Sequence, residues 1–406
     1  MSEALSRSRT RVAGFADPEL DFQLLRQLGS ANYGGATVGG TLAAAAEVGD
    51  GGPPAWVSVF TARGDQQRQD ADARAAAGHQ ASAAGQYLVA CNSYRAAEYF
   101  AVVGSEEHRR LGAASERAFA RSLELSGRAY ERVHITVDGL RLPGYWFDAP
   151  GPRGTGRILV ATSGFDGTTE ETYLQVGRAA VERGWQVLLI AGPGQADTAR
   201  AYPDAPFVPD TERWIAPWID AAADRSTSAP DRIALLGISF GGYFALRAAA
   251  ADPRIGAVVA NSPIVDLRAY LASFVGFDPE QAIPAAEDFG LSDIDGIPDA
   301  TLPPSGKAMA RSLIKRFGRP SFLSTFQYLK EFSVDPAAVS VPALAMVGEG
   351  EGPEPIAQFE RFVAGAGGPV SERRFTMAEG ADTHCQLGNL PLSNAVLFDW
   401  LDDTLA

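Results

Sequence analysis

A serine stands between two glycines in the run Gly237-Ile238-Ser239-Phe240-Gly241. This is the spacing of a nucleophile elbow, in which a sharp turn lifts a hydroxyl clear of a sheet. The pentapeptide alone is weak evidence, because a glycine-rich chain holds such runs by chance, as tight turns that happen to carry a serine. The flanks separate the two readings. Ile233-Ala234-Leu235-Leu236 reads as a buried strand leading into the motif, and Gly241-Gly242-Tyr243-Phe244-Ala245-Leu246 opens a helix after it. Strand, turn and helix in that order would aim the hydroxyl at a ligand and set a helix N-terminus where negative charge develops.

A serine hydroxyl attacks only when a base takes its proton. The chain has four histidines. His79 lies in a helical stretch, His108 in the charged run Glu106-Glu107-His108-Arg109-Arg110, and His134 on a strand of an early hairpin. His384 follows the last predicted strand in Glu379-Gly380-Ala381-Asp382-Thr383-His384-Cys385-Gln386, after the serine in chain order, where an α/β-hydrolase keeps its base. An acid must orient the imidazole and stabilise its charged form. Glu351, in Gly348-Glu349-Gly350-Glu351-Gly352-Pro353-Glu354 behind the strand Ala343–Val347, is the leading candidate; Glu349, Glu354 and Asp266 are its rivals.

Developing oxyanion charge needs two donors. The N–H of Phe240 is one candidate and that of Phe165, in Ser163-Gly164-Phe165-Asp166-Gly167, is the other. Asp166 is unexpected there, since a carboxylate beside an oxyanion hole repels the charge being formed. It either caps the helix beginning at Thr168 or handles a substrate hydroxyl or carbonyl. Gly192-Pro193-Gly194-Gln195 lacks the Gly-Lys-Ser/Thr of a phosphate loop, and no His/Asp/Glu group has metal-ligand spacing. No cofactor is expected.

Positioning these residues takes two kinds of chain. Up to about residue 130 the pattern is helical: Leu42–Val48, Tyr87–Val103 and Ser115–Leu125, the last with a Ser-Glu start that reads as a cap, separated by Gly34-Gly35 and Gly49–Pro54. From 131 the period changes. Val133–Val137 and Leu142–Phe147 form a hairpin turned at Asp138-Gly139. Strands at Ile158–Thr162, Gln186–Ala191, Ile233–Gly237, Ala257–Asn261, Ala343–Val347 and Val370–Phe375 then alternate with helices. Such alternation predicts an α/β fold with a mostly parallel, doubly wound sheet. The division is an N-terminal helical lid domain over residues 1–130 and a catalytic domain over 131–406, with a cap insertion at about 268–335.

The 406 residues carry a formal net charge of −14, which argues against nucleic acid and anionic membrane as partners. Met1-Ser2-Glu3-Ala4-Leu5-Ser6-Arg7 has no apolar stretch behind its charges, as a secretory signal would, and no run approaches a membrane span. Two cysteines, Cys91 and Cys385, fit free thiols in a cytoplasmic protein. The expected partner is a small-molecule substrate, bound by a monomer or a homodimer.

The runs Gly164-Phe165-Asp166-Gly167-Thr168-Thr169-Glu170-Glu171, Gly192-Pro193-Gly194-Gln195, Gly237–Gly242, Val347–Gly352 and Gly380–Gln386, with Ser93-Tyr94-Arg95-Ala96-Ala97-Glu98-Tyr99-Phe100, resemble a known group of α/β-hydrolases. It includes the bacterial 2,6-dihydroxypseudooxynicotine hydrolase and fungal pigment hydrolases that shorten heptaketide naphthopyrones. The resemblance spans nearly the whole chain. It implies a Ser/acid/His hydrolase under an N-terminal helical lid, cleaving a carbon–carbon bond next to a ketone with help from an acid at Asp166, or hydrolysing an ester. Ala191 stands where relatives often have Asp, and Ala196 where they often have Gly. Acyl transfer or cyclisation on the same triad is the second reading, and a non-catalytic binding protein the third. In the helical half, Tyr33, Tyr94, Tyr99 and Phe100 are aromatic. Tyr33 and Tyr94 are the substrate-binding candidates, with core packing as the alternative.

Overall fold

The computed structural model describes residues 10–149, 156–225 and 232–406, so the Met1–Arg7 segment lies outside it. Eight strands form one sheet in the order β1-β2-β4-β3-β5-β6-β7-β8. They are β1 (Tyr130–Val137), β2 (Leu140–Phe147), β3 (Ile158–Thr162), β4 (Gln186–Ile190), β5 (Ile233–Ile238), β6 (Ala257–Asn261), β7 (Ala343–Gly348) and β8 (Val370–Phe375). β1 and β2 are the expected hairpin, with Asp138 (φ 49°) and Gly139 (φ 79°) both left-handed, as a two-residue turn matching strand twist requires. β2 joins β4 antiparallel, and every pair from β4 to β8 is parallel.

Why these runs are strands is visible in what each side of the sheet covers. Leu159, Ala161, Val187, Leu189, Ala234 and Leu236 fall in one apolar cluster. The residues between them, Ile158, Val160, Leu188, Ile190, Ile233 and Leu235, fall in another. Alternation by two with both sets buried is the mark of a parallel sheet covered on both faces.

The helices are α1 (Pro18–Gly29), α2 (Val38–Val48), α3 (Gly52–Ala76), α4 (Gln80–Phe100) and α5 (Glu106–Leu125), all ahead of the sheet. Trp56, Tyr87, Leu111 and Phe119 from them belong to the same cluster as one sheet face, so the helical layer and the sheet share continuous packing. One sequence expectation changes here. The helix read from Ser115 begins at Glu106: its cap is Ser105, whose Oγ accepts from the N–H of His108, while Ser115 is buried mid-helix and donates to Cys91 O at 2.9 Å. The Gly49–Pro54 punctuation does separate two helices, α2 and α3, and its prolines sit in the first turn of the 25-residue α3, where their missing N–H groups have no helical partner to lose.

The remaining helices are α6 (Thr169–Thr172), α7 (Arg178–Glu182), α8 (Ala196–Ala201), α9 (Glu212–Arg225), α10 (Gly241–Ala251), α11 (Leu267–Val275), α12 (Pro279–Ala282), α13 (Pro304–Phe317), α14 (Phe322–Tyr328), α15 (Pro353–Gly365) and α16 (Leu390–Thr404). α11 to α14 form the insertion between β6 and β7. Register fixes where function can sit. Thr162 pairs with Gly237, Ile238 with Asn261, and Gly348 with Phe375. The loops leaving the carboxyl ends of β3, β5, β6, β7 and β8 therefore emerge together, where open α/β sheets bind ligands.

Candidate active site

The elbow is built by close approach of backbone to backbone. Ser239 has φ 61°, a left-handed conformation rare for a residue with a side chain. Its N–H donates to Asn261 O at 2.5 Å. A Cβ on Gly237 would lie 1.8 Å from Gly241 O, and one on Gly242 would lie 1.9 Å from Ser262 O. Only glycine lets the turn close and α10 pack on the end of β6. The hydroxyl is thus presented by geometry that the flanking residues enforce, which is how a strained site persists.

Three loops complete the chain of hydrogen bonds. His384 Nε2 lies 2.8 Å from Ser239 Oγ, and its Nδ1 lies 2.5 Å from Glu351 Oε2. Glu351 is itself held: Oε2 accepts from Ser262 Oγ at 2.8 Å and Oε1 from the N–H of Gly348 at 2.9 Å. Burial disfavours the imidazolium of His384, while the charge and hydrogen bond of Glu351 favour it; the balance is upward from the ordinary histidine value. Of the acids considered from sequence, Glu351 alone reaches the imidazole. Glu349 is exposed, Glu354 accepts from Gln358 Nε2, and Asp266 caps α11 by accepting from the N–H of Ala269.

The loop after β3 lies against the elbow. A Cβ on Gly164 would come 2.6 Å from the N of Phe240 and 2.9 Å from Ser239 Cβ. The loop is pinned by fully buried Gln195, whose Nε2 donates to Ser163 O at 2.7 Å and whose Oε1 accepts from the N–H of Gly192 at 2.6 Å. The Gly192–Gln195 run is thus a brace for this loop. Neither Phe165 N–H nor Phe240 N–H is taken up by a turn or cap among the described residues.

Asp166 does not cap the next helix. Thr168 does, its side chain accepting from the N–H of Glu171. Asp166 Oδ1 instead accepts from Arg26 Nη1 at 3.0 Å. Arg26 also donates Nε and Nη2 to Glu171, each at 2.5 Å, and Arg95 Nε reaches Glu171 at 2.9 Å. Arg26 comes from α1 and Arg95 from α4, so the helical layer is tied to the β3 loop by buried ion pairs. A carboxylate so paired is an acceptor of hydrogen bonds.

Tyr33 and Tyr94 do not line the space above Ser239. Tyr33 Oη accepts from Asn394 Nδ2 at 2.9 Å, and Tyr94, 1% exposed, donates to Asp65 Oδ1 at 2.7 Å between α3 and α4. The packing alternative describes both. The space itself is a cavity whose apolar wall includes Leu267, Tyr270, Leu271 and Phe274. Those four sit at i, i+3, i+4 and i+7 on α11, a helical stripe that sequence reading passed over inside the insertion. Tyr270 Oη stands 3.5 Å from His384 Nδ1. Glu19 of α1 and Met309 of α13 close the cavity on the other side.

Solved structures place this architecture. The crystal structure of the 2,6-dihydroxy-pseudo-oxynicotine hydrolase superposes with a TM-score of 0.68 at 19% identity, covering 93% of this chain and 96% of that one. The fold is that of an α/β-hydrolase. A profile of the prolyl oligopeptidase family matches residues 214–282, the stretch carrying the elbow of this α/β-hydrolase fold. Among curated proteins the chain is 36% identical over 266 residues to the hydrolase acrC of Aspergillus aculeatus, covering 61% of this chain and 62% of that protein. It is 33% identical over 263 residues to the 20-hydroxy-prefusarin hydrolase FUS2 of Gibberella moniliformis, covering 62% of each. These matches span about three fifths of the relatives' length. Among the described residues no helix is long and apolar enough to cross a membrane.

Proposed function

We propose that the chain is a serine hydrolase that cleaves a bond beside a carbonyl in a small aromatic or polyketide-type metabolite. The observation that carries this is the continuous hydrogen-bonded chain Ser239–His384–Glu351 opening into an apolar cavity. His384 takes the proton of Ser239 as the hydroxyl attacks the carbonyl carbon. Glu351 stabilises the imidazolium, and the N–H groups of Phe165 and Phe240 receive the oxyanion. Collapse expels a leaving group that His384 reprotonates, and water activated by the neutral imidazole frees the acyl group. The names of acrC and FUS2, both hydrolases, support the reading.

Asp166 bears on which bond breaks. Paired with Arg26, it would accept a hydrogen bond from an enolic or phenolic hydroxyl of the substrate and hold the carbonyl that such a group conjugates with. A carbon leaving group is expelled readily only if conjugation spreads its charge. Cleavage of a carbon–carbon bond next to a ketone, a retro-Claisen reaction, is the finer form of the proposal.

A fluorophosphonate probe should label the wild-type protein at Ser239, and Ser239→Ala should abolish labelling and lower turnover of an aryl ester by about a thousandfold or more. Full turnover by Ser239→Ala would overturn the mechanism. With a β-diketone in heavy-oxygen water, the acid product should carry the label. An unlabelled product would favour acyl transfer, which a cavity closed under α1 and α13 also suits.

A further inference from the structure

Next to Asp166 a second, small cavity lies between α4, α5 and α13. It shares Glu19, Phe165, Asp166 and Met309 with the chamber over Ser239, so the two meet at that wall. On its outer side it shares Tyr99, Phe100, Ala308 and Ser312 with a groove that reaches the surface. Sharing walls with both, this cavity lies between the chamber and the groove, and its lining is the more polar.

Arg95 and His108, two residues of its lining, carry buried polar atoms that the described protein leaves unsatisfied. Arg95 is 2% exposed; Glu171 takes its Nε, but Nη1 and Nη2 have no hydrogen-bond partner, with Asp166 Oδ1 at 3.8 Å from Nη2. His108 is 1% exposed and both ring nitrogens lack a hydrogen bond, with Glu98 Oε1 at 3.7 Å from Nε2. A buried group left this way is costly, and folded proteins hold few of them. Burial, then the neighbouring charge of Arg26, pulls Arg95 below its ordinary value. Burial pulls His108 down to about 4, so at neutral pH it offers one donor and one acceptor.

The charges of the wall narrow what fits. Glu19, Glu98 and Asp166 face Arg95 and Arg316 there, so an anion gains no net attraction. The unmet capacity is several N–H donors from Arg95 and a donor–acceptor pair on His108. An uncharged group with both carbonyl and hydroxyl oxygens meets it.

We infer that this middle cavity is a recognition subsite for the part of the substrate remote from the bond attacked by Ser239, and that it binds an uncharged carbonyl- or hydroxyl-bearing group through Arg95 and His108. The inference deepens the proposed function and rests on it for the identity of the ligand as substrate, but its test does not depend on turnover.

The test is calorimetric titration of Ser239→Ala protein with butyrophenone, its 2,4-dihydroxy derivative and its 4-carboxy derivative. The dihydroxy ketone should bind about tenfold more tightly than the parent, the worth of one hydrogen bond to a charged donor, and the carboxy ketone should gain nothing. Adding Arg95→Lys, which keeps the charge but not the free Nη atoms, should shrink the preference to about twofold. Ala308→Phe, which fills the cavity from α13 without touching the buried ion pairs, should do the same and keeps the test alive if Arg95→Lys does not fold. Equal affinity for parent and dihydroxy ketone, as for a cavity that holds only water, would overturn the subsite. So would a preference surviving both variants. A carboxy ketone bound as tightly as the dihydroxy ketone would overturn the uncharged assignment. Fluorophosphonate labelling reads the triad separately: labelling without the preference keeps the hydrolase and loses the subsite, and the preference without labelling does the reverse.

Discussion

The two sides of the active site are held by different physics. On the sheet side Ser239 is set by steric closure, with Gly237 and Gly242 against backbone oxygens and a strained φ between them. On the helical side, Arg26 and Arg95 grip Glu171 and Asp166 by buried ion pairs. Closure by backbone contact does not respond to pH or salt. Closure by buried charge depends on every partner being present, since an ion left alone in a low dielectric is costly. Ser239 is therefore fixed, while the docking of the helical layer is conditional on its charges.

The largest effect expected from that contrast is at Arg26. Arg26→Met leaves Glu171 and Asp166 short of a partner under the helical layer and should lower stability by about 3–5 kcal/mol, read from the urea midpoint. The double variant Arg26→Met/Glu171→Gln removes the unpaired charge while leaving an amide oxygen for Arg95 Nε, and should recover part of the loss. If the two losses simply add, the pair is not what joins the layers. Gly242→Ala tests the other side: its Cβ would fall 1.9 Å from Ser262 O, a backbone atom that cannot swing away. A loss of about 3 kcal/mol is expected, with esterase activity falling further than stability because α10 moves and carries the elbow with it.

How much of this was legible in the sequence follows the same division. Strand, elbow and helix around Ser239 are local, and so are the loops bearing Glu351 and His384; short-range patterns gave all of them. Alternation of strands and helices gave the mostly parallel sheet but not the order of its strands. The links made by Arg26 and Arg95 join positions 140 or more residues apart in the case of Arg26 and Asp166, and nothing local marks an arginine as an ion-pair partner rather than a surface charge. Asp166 was singled out, yet its cap reading failed because Thr168 stands nearer the helix start and its hydroxyl takes the N–H of Glu171. The apolar stripe on α11 is local, and its helical spacing is legible at the head of the insertion.

A smaller effect separates the two sides by pH. Asp197 on α8 accepts from Thr169 Oγ1 at 2.6 Å, and burial, then the charge of Glu170, raises it from 3.8 to about 6. A raised acid holds a proton in the folded state that the unfolded chain has lost. Its stability is fully present below pH 3.8 and is lost as pH rises toward about 6, by about 3 kcal/mol at most. His108, lowered from 6.5 to about 4, works the opposite way, gaining stability as pH rises through that window. Wild type must therefore be compared with Asp197→Asn, which keeps an acceptor for Thr169. The difference in urea midpoint between the two should grow in favour of the variant from pH 4 to 6.5. A constant difference would remove Asp197 as a titrating part of the interface.

The smallest effect is at Tyr94, and it sharpens where the site ends. Tyr94 and Arg95 are neighbours on α4, but successive helical residues point about 100° apart, so they cannot share a face. Arg95 and Tyr99, four apart, can, and both line the polar cavity. Tyr94 faces α3, where a Cβ on Gly64 would lie 2.7 Å from its ring. Its hydroxyl meets Asp65, and burial, then that carboxylate, pushes it up to about 12. Tyr94→Phe keeps the ring and gives up one hydrogen bond, so a stability loss of about 1 kcal/mol is expected with kcat and KM unchanged. A shift in KM of about threefold or more, at unchanged fold, would mean that α4 presents two faces to the ligand, which its helical geometry does not allow without a rotation of the helix.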